Sequence, residues 1–230
     1  DGGQAHVPNL TVINGASFYV YDGVTLTVPS ATSYSFTSSL SNNWEYRYFR
    51  SEGAGSVLSL PNLETLSMGS YRYSEMEIGA YGGGRVELPS LGVIDESGSI
   101  DSQDTWLDVL ADGRGSVIDL SHLASFSDSS SSGGNSTIRV SSGSQIIAPV
   151  LTQMNHVSLR LSRGSTFPIA QLASVTWGEL VVSGGAYDFA ALVNATGTAI
   201  TVGQDGEGEF DVLADLTRGS LTVKDGGQAR

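Results

Sequence analysis

Aromatic and acidic side chains are concentrated in the first half of the chain, in or beside three of the four segments that interrupt an otherwise regular pattern. Aromatic rings provide flat apolar faces with a polar edge, and carboxylates supply the oxygen ligands that calcium prefers. This combination is typical of a surface that binds a glycan, by stacking and hydrogen bonding, or a cation. The residues that we predict to form a ligand-binding face are Trp44, Tyr46, Tyr48, Tyr71, Tyr73, Glu75, Glu77, Asp101, Asp104 and Trp106.

The four interrupting segments cover approximately residues 35–45, 67–75, 95–105 and 127–136. The first two are rich in aromatic residues, the third is acidic and includes Glu96, and the fourth is a Ser/Gly segment. Same-phase insertions in a repeat protein lie on one face, which is often the binding face. A simpler interpretation also stands: the rings cover an exposed rim, and the acids are solvated loop residues.

Catalytic motifs are weak in this chain. The three histidines, His6, His122 and His156, fall at different phases of the repeat, so they do not form one ladder or one metal site. Lys224 is the only lysine, and it is far in sequence from the acidic segment. The G-H-G and R-x-K motifs of polygalacturonase-type enzymes are absent. We therefore predict that the protein is not an enzyme.

No cofactor is predicted, and an isolated calcium ion is the one alternative kept open. The chain has no cysteine, which excludes disulfides and thiolate metal sites. The segment QDGEGEFD at 204–211 contains an Asp-Gly turn pair but lacks the spacing of a calcium loop with a distal Glu. Asp before Gly is ordinary turn chemistry, so we interpret the segment as a turn.

The charge balance restricts the partners. The formal net charge is −13 over 230 residues, which disfavours binding to nucleic acid and to anionic lipid. No apolar run approaches the roughly 18 residues that a membrane-spanning helix needs. We expect neither a nucleic-acid partner nor membrane insertion, and a secreted protein suits this acidity.

One phrase recurs along the whole chain and indicates the scaffold. It consists of an apolar residue, then Pro, Ser or Ala, then any residue, then an apolar residue. It occurs as VPNL at 7–10, VPSA at 28–31, LPNL at 60–63, LPSL at 88–91, LSHL at 120–123, APVL at 148–151, IAQL at 169–172, AALV at 190–193 and LADL at 213–216.

Each phrase is preceded at a constant distance by a glycine, and these nine glycines set a basic repeat of about 21 residues. They are Gly2, Gly23, Gly55, Gly83, Gly115, Gly143, Gly164, Gly185 and Gly208. Alternating apolar pairs, such as Leu107 and Val109, come before most of them and indicate strands. A third apolar position, such as Tyr34, follows most phrases.

Proline belongs at a corner because it cannot donate to a sheet ladder, and glycine supplies a left-handed turn at another corner. The pattern predicts an all-β fold, a single-stranded parallel β-helix. This solenoid would have about nine triangular coils of about 21 residues, four of them with insertions. Residues 1–230 form one domain in this prediction, the longer coils cover approximately 23–142, and nine coils at strand spacing give a rod of roughly 40 Å. The chain would be part of a longer array.

A leucine-rich repeat is the main alternative fold, because LPNLETL at 60–66 matches part of its pattern. That fold needs an Asn or Cys at a fixed position of every repeat, and no such ladder of Asn occurs here. The β-helix is therefore favoured, with a leucine-rich-repeat-like interaction domain as the second alternative.

At the level of its V/L-P-x-L phrase and its 21-residue coil, the chain resembles the β-helical repeat regions of large bacterial surface and secreted proteins, such as adhesins and autotransporter passengers. The resemblance implies an extracellular or cell-surface protein with a structural or adhesive role, as a stalk or attachment segment. Its partners would be a glycan or another surface protein, and exposed strand edges at the ends of the stack would allow end-to-end self-association. The alternative is a carbohydrate-active enzyme or a glycan-binding module that uses the same face.

Overall fold

The computed structural model describes residues 2–36, 44–68, 74–96, 105–128 and 136–230. The fold is all-β: these residues form 22 strands and no helix, and the strands pair in parallel in three sheets. None of the described residues belongs to a helix that could span a membrane.

The strands are short, and each sheet collects strands from successive repeats. The first sheet contains, in spatial order, β1 (Gln4–His6), β3 (Thr25–Thr27), β6 (Val57–Ser59), β9 (Arg85–Glu87), β12 (Val117–Asp119) and β15 (Gln145–Ile147). The second contains β4 (Ser33–Phe36), β7 (Thr65–Met68), β10 (Val93–Asp95), β13 (Ser125–Ser127), β16 (Gln153–Asn155) and β18 (Ser174–Thr176). The third contains β2 (Phe18–Val20), β5 (Glu45–Glu52), β8 (Ser74–Tyr81), β11 (Thr105–Asp112), β14 (Ser136–Ser141), β17 (Val157–Ser162), β19 (Glu179–Asp188), β20 (Ala199–Glu209) and β21 (Ser220–Val223), with β22 (Gln228–Ala229) beside β20.

Strands that follow one another in the chain mostly belong to different sheets, and neighbours within a sheet lie one repeat apart in sequence. From β3 to β17 the chain visits the first, second and third sheets in a fixed cycle. This arrangement confirms the predicted parallel strands, and it is compatible with a parallel β-helix.

Apolar residues from equivalent positions of each repeat stack into continuous columns in the core. In the second sheet, one column contains Tyr34, Leu66, Ile94, Phe126, Met154 and Val175, all of them buried. The predicted third apolar position is therefore confirmed for these residues. Because side chains alternate between the two faces of a strand, the residues immediately before and after each of these in its strand face outwards.

The corners of the repeat follow the predicted chemistry. In the phrase at 60–63, the Leu63 amide donates to the Leu60 carbonyl at 3.2 Å, and Leu91 repeats this turn with Leu88 at 3.1 Å. At the other corner, glycines such as Gly83 adopt a positive φ of 94°, in the left-handed region that glycine tolerates best.

The predicted register is wrong in the last two repeats. In the phrase at 190–193 the buried residues are Phe189 and Leu192, whereas Val193 is exposed. Gly208 lies within β20 without a positive φ, and the residue that pairs with Gly185 is Gly206. The repeat therefore keeps its spacing here, but the phrase no longer coincides with the buried positions.

The 204–211 segment, interpreted from the sequence as a turn, is mostly within β20, where Gln204 and Asp205 have positive φ values. At the end of the third sheet, Leu221 and Val223 continue the inward-facing column but are 45% and 47% exposed, because no further described strand covers them.

Candidate ligand-binding face

The outward face of the third sheet brings together residues that are about thirty positions apart in sequence. Tyr46, Glu75 and Trp106 form one row across β5, β8 and β11. Tyr48 and Glu77 lie in the next row, and Asp108 completes it. Neighbouring strands of a sheet lie about 4.8 Å apart, so each row is compact.

Three aromatic rings surround the position of Glu75. The Trp44 ring lies 4.8 Å from the Trp106 ring and 6.2 Å from the Tyr46 ring, centroid to centroid, and is within 22° of parallel to Tyr46. Tyr46 is on β5 and Trp106 on β11, so Trp44 connects rings on both sides of the strand that carries Glu75. Trp44 and Tyr46 are 38% and 44% exposed, which leaves ring surface available to a ligand.

A second aromatic group adjoins the first at the end of the sheet. Tyr19 lies 5.5 Å from Tyr48 and 6.4 Å from Tyr21 between ring centroids. Sequence reasoning missed Tyr19 and Tyr21, although a signal exists: Phe18 and Val20 are an alternating apolar pair, and alternation places the residues beside them outside.

Asp108 is the third residue that sequence reasoning missed. Burial raises its pKa to about 6, and the negative charge of Glu75 adds to the shift, while hydrogen bonds from Thr137 oppose it. The pKa of Glu75 is raised chiefly by burial and further by Glu77, and a hydrogen bond from Trp106 opposes the change. Three carboxyl groups thus lie close together and repel one another.

One cation lies at the edge of this group. The Arg50 guanidinium lies 3.2 Å from Glu52 and 3.9 Å from Glu77, and its carbon lies 4.5 Å from the centre of the Tyr81 ring. Gly79 makes this packing feasible, because a Cβ there would lie 2.3 Å from a Glu77 oxygen and 2.6 Å from the Tyr81 ring. Arg50 is therefore held at one end of the face, away from Glu75.

The structure brings six of the ten predicted residues onto this face: Trp44, Tyr46, Tyr48, Glu75, Glu77 and Trp106. The other four, Tyr71, Tyr73, Asp101 and Asp104, lie outside the described residues. Within the described ranges, no group of three or more His, Cys, Asp or Glu residues has a geometry that could hold a metal ion.

A pair of carboxyl groups lies inside the core where the third and fourth insertions begin. The column of Phe36 and Met68 in the second sheet continues with Glu96 and then Asp128. Glu96 is 3% exposed and Asp128 is fully buried. The sequence had indicated solvated loop acids here, and that interpretation is wrong for Glu96.

Hydrogen bonds hold the carboxylate of Asp128 in place. One Asp128 oxygen accepts hydrogen bonds from the Ser136 amide and hydroxyl, both at 2.8 Å. Burial raises the pKa of Glu96 well above its ordinary value, and the charges of Asp128, Asp108 and Asp95 raise it further, while a hydrogen bond with Ser136 opposes the shift. Burial and the neighbouring charges therefore shift Glu96 towards the protonated form.

Replacing Glu96 with glutamine should stabilise the protein at neutral pH. A carboxyl group whose pKa is raised by folding supports the folded state below its unfolded value, near 4.5, and this support is lost as the pH rises through the folded pKa. Glu96→Gln should therefore raise the Tm at pH 7.5 by roughly 2–6 °C, a gain of about 1–2 kcal/mol, with no gain near pH 4. Thermal unfolding followed by circular dichroism measures this.

Glu64→Gln, at an exposed corner, is the matched control and should not change the pH dependence. An equal Tm for Glu96→Gln and the native protein at both pH values would contradict the assignment of a buried, protonated Glu96.

Comparisons with protein-family models, with curated proteins and with solved structures found no match for this chain.

Proposed function

We propose that the chain is a parallel β-helix module of about nine triangular coils that serves as a rigid extracellular or cell-surface attachment segment and binds a glycan on the outward face of its third sheet. The fixed cycle of the chain through three parallel sheets supports the β-helix. A leucine-rich repeat places one strand in each repeat, whereas most repeats here contribute a strand to each of three sheets.

The observation that carries the glycan-binding function is the position of Trp44, Tyr46 and Trp106 around Glu75. Trp44 and Tyr46 are exposed and nearly parallel, so they offer stacking surfaces, and the adjacent carboxylates accept hydrogen bonds from hydroxyl groups. Trp44, Glu75 and Trp106 each lie at the end of a predicted insertion in sequence.

Replacing Trp106 with alanine should abolish most glycan binding. Loss of a stacked indole and of its hydrogen bond to Glu75 should weaken affinity about tenfold or more. Binding of fluorescent oligosaccharides, selected first on a glycan array, measures the change. Trp177→Ala is the control, since Trp177 is an exposed tryptophan next to β18 in the second sheet.

Equal loss of binding in Trp106→Ala and Trp177→Ala, or the absence of any glycan ligand on a broad array, would contradict the proposal.

Glycoside hydrolysis is the second candidate function, and Asp108 is the observation that favours it. Glycosidases use a carboxylic acid with a raised pKa beside a carboxylate, and Asp108 with a pKa of about 6 lies next to Glu77. Release of reducing ends from a bound polysaccharide, lost in Asp108→Asn, would favour this enzyme and exclude the purely adhesive role.

A further inference from the structure

We propose that the glycan bound by this face is an amino sugar, whose ammonium group lies against Glu75 beside the rings of Trp44, Tyr46 and Trp106. This inference rests on the proposed glycan-binding function and names the chemical class of the ligand. It follows from the charge of the face, the placement of the rings and the shape of the surface that they form.

The charge of the face is negative and uncompensated at the Glu75 end. Glu75, Glu77 and Asp108 carry three carboxyl groups. The cations Arg50 and Arg139 lie one row beyond Glu77 and Asp108, and two rows from Glu75. Arg50 is engaged with Glu52 and Glu77 and packs on Tyr81. A ligand that brings a positive charge to Glu75 would relieve the repulsion among the three acids, which a neutral sugar would not do.

The rings around Glu75 suit a cation as well as a sugar. A cation is attracted to the face of a Trp or Tyr ring when it lies within about 6 Å of the ring centre. Trp44 lies 4.8 Å from Trp106 and 6.2 Å from Tyr46 between ring centroids, so an ammonium group placed over this cluster reaches more than one ring. Glu75 completes this arrangement with a carboxylate that already accepts a hydrogen bond from Trp106.

The shape of the surface favours a sugar over a lysine-containing peptide. Trp44 and Tyr46 are within 22° of parallel and both are partly exposed, so each offers part of a ring face to a ligand. A sugar ring covers such a face over more of its area than the narrow alkyl chain of lysine does.

The test compares glucosamine oligomers with N-acetylglucosamine oligomers of equal length by isothermal titration calorimetry at pH 6, where the free amino groups are largely protonated. The native protein should bind the glucosamine oligomer at least about tenfold more tightly. Glu75→Gln keeps the shape of the side chain and removes its charge, so it should erase most of that preference. Glu64→Gln, an exposed carboxylate at a corner of the second sheet, is the matched control and should retain it.

Three other outcomes would each overturn a specific claim. Equal binding of the two oligomers that is lost in Trp106→Ala would overturn the amino-sugar assignment and leave glycan binding intact. Equal binding of a lysine oligomer and the glucosamine oligomer, both dependent on Glu75, would overturn the assignment to a sugar. Binding of neither sugar oligomer, nor of any other glycan on an array, would overturn this inference and the proposed function together.

Discussion

Replacing Phe126 with alanine should lower the free energy of unfolding by about 3–5 kcal/mol. Phe126 is fully buried in the column between Ile94 and Met154. Each strand of the second sheet contributes one side chain to this column, so the neighbouring rungs cannot close the space without breaking their ladders. The mutation therefore leaves a cavity in addition to the lost apolar burial.

Chemical denaturation with urea measures the Phe126→Ala effect, and Val150→Ala is the matched control. Val150 occupies a repeat corner and is 45% exposed, so its truncation should change stability by less than about 0.5 kcal/mol. A loss below about 1 kcal/mol for Phe126→Ala would mean that the interior columns are loosely packed.

Replacing Gly178 with alanine should destabilise the protein by about 3 kcal/mol, at the upper end of overpacking effects. A Cβ at Gly178 would lie 2.1 Å from the carbonyl oxygen of Val157, in the strand one repeat earlier. Gly84 has the same relation to Ser51, at 2.4 Å. The atom in the way is part of the backbone, so relief requires neighbouring strands to move apart.

Gly92 provides the matched control for the Gly178 substitution. A Cβ there meets nothing within 4 Å, and its φ is not in the left-handed region. Gly92→Ala should therefore be neutral or slightly stabilising, because alanine reduces the entropy of the unfolded chain. Similar thermal midpoints for the two variants would contradict the close approach of successive repeats at Gly178.

The sequence pattern was sufficient for the parallel strands and for most of the buried columns. Leucine and phenylalanine at equivalent positions, such as Leu66 and Phe126, strongly indicate a buried column, because few outward-facing positions tolerate them. The register failed at 190–193, where the alanine-rich phrase hides the buried Phe189 and Leu192. Small residues are compatible with both faces of a strand, so a motif built on them carries little positional information.

The candidate face was predictable in part for a similar reason. Trp44 and Trp106 stand out beside insertions of the same phase, so their proximity could be expected from the repeat. Asp108 was missed because its neighbours Leu107 and Val109 identify its strand as scaffold, and an outward polar residue on such a strand is unremarkable. Its position beside Glu77 depends on the register between β8 and β11. The pattern of a single strand does not give that register.

The central claim is that the chain forms one continuous coil that supports the face. It is tested most directly by asking whether successive strands advance by the same distance in all three sheets. The chain has no cysteine, so pairs of introduced cysteines accept spin labels without background. Three pairs, each spanning five strand-to-strand steps, sample one sheet apiece: His6 with Ile147, Ser33 with Ser174, and Tyr19 with Arg160.

Pulsed electron paramagnetic resonance measures the distance between the two labels. This distance should reflect a backbone separation of about 24 Å for all three pairs, since each strand-to-strand step adds about 4.8 Å. Equal and narrow distance distributions are the result that a parallel β-helix predicts. A separation in any one sheet that differs from the other two by 10 Å or more would contradict a continuous coil and, with it, the rigid face proposed for the third sheet.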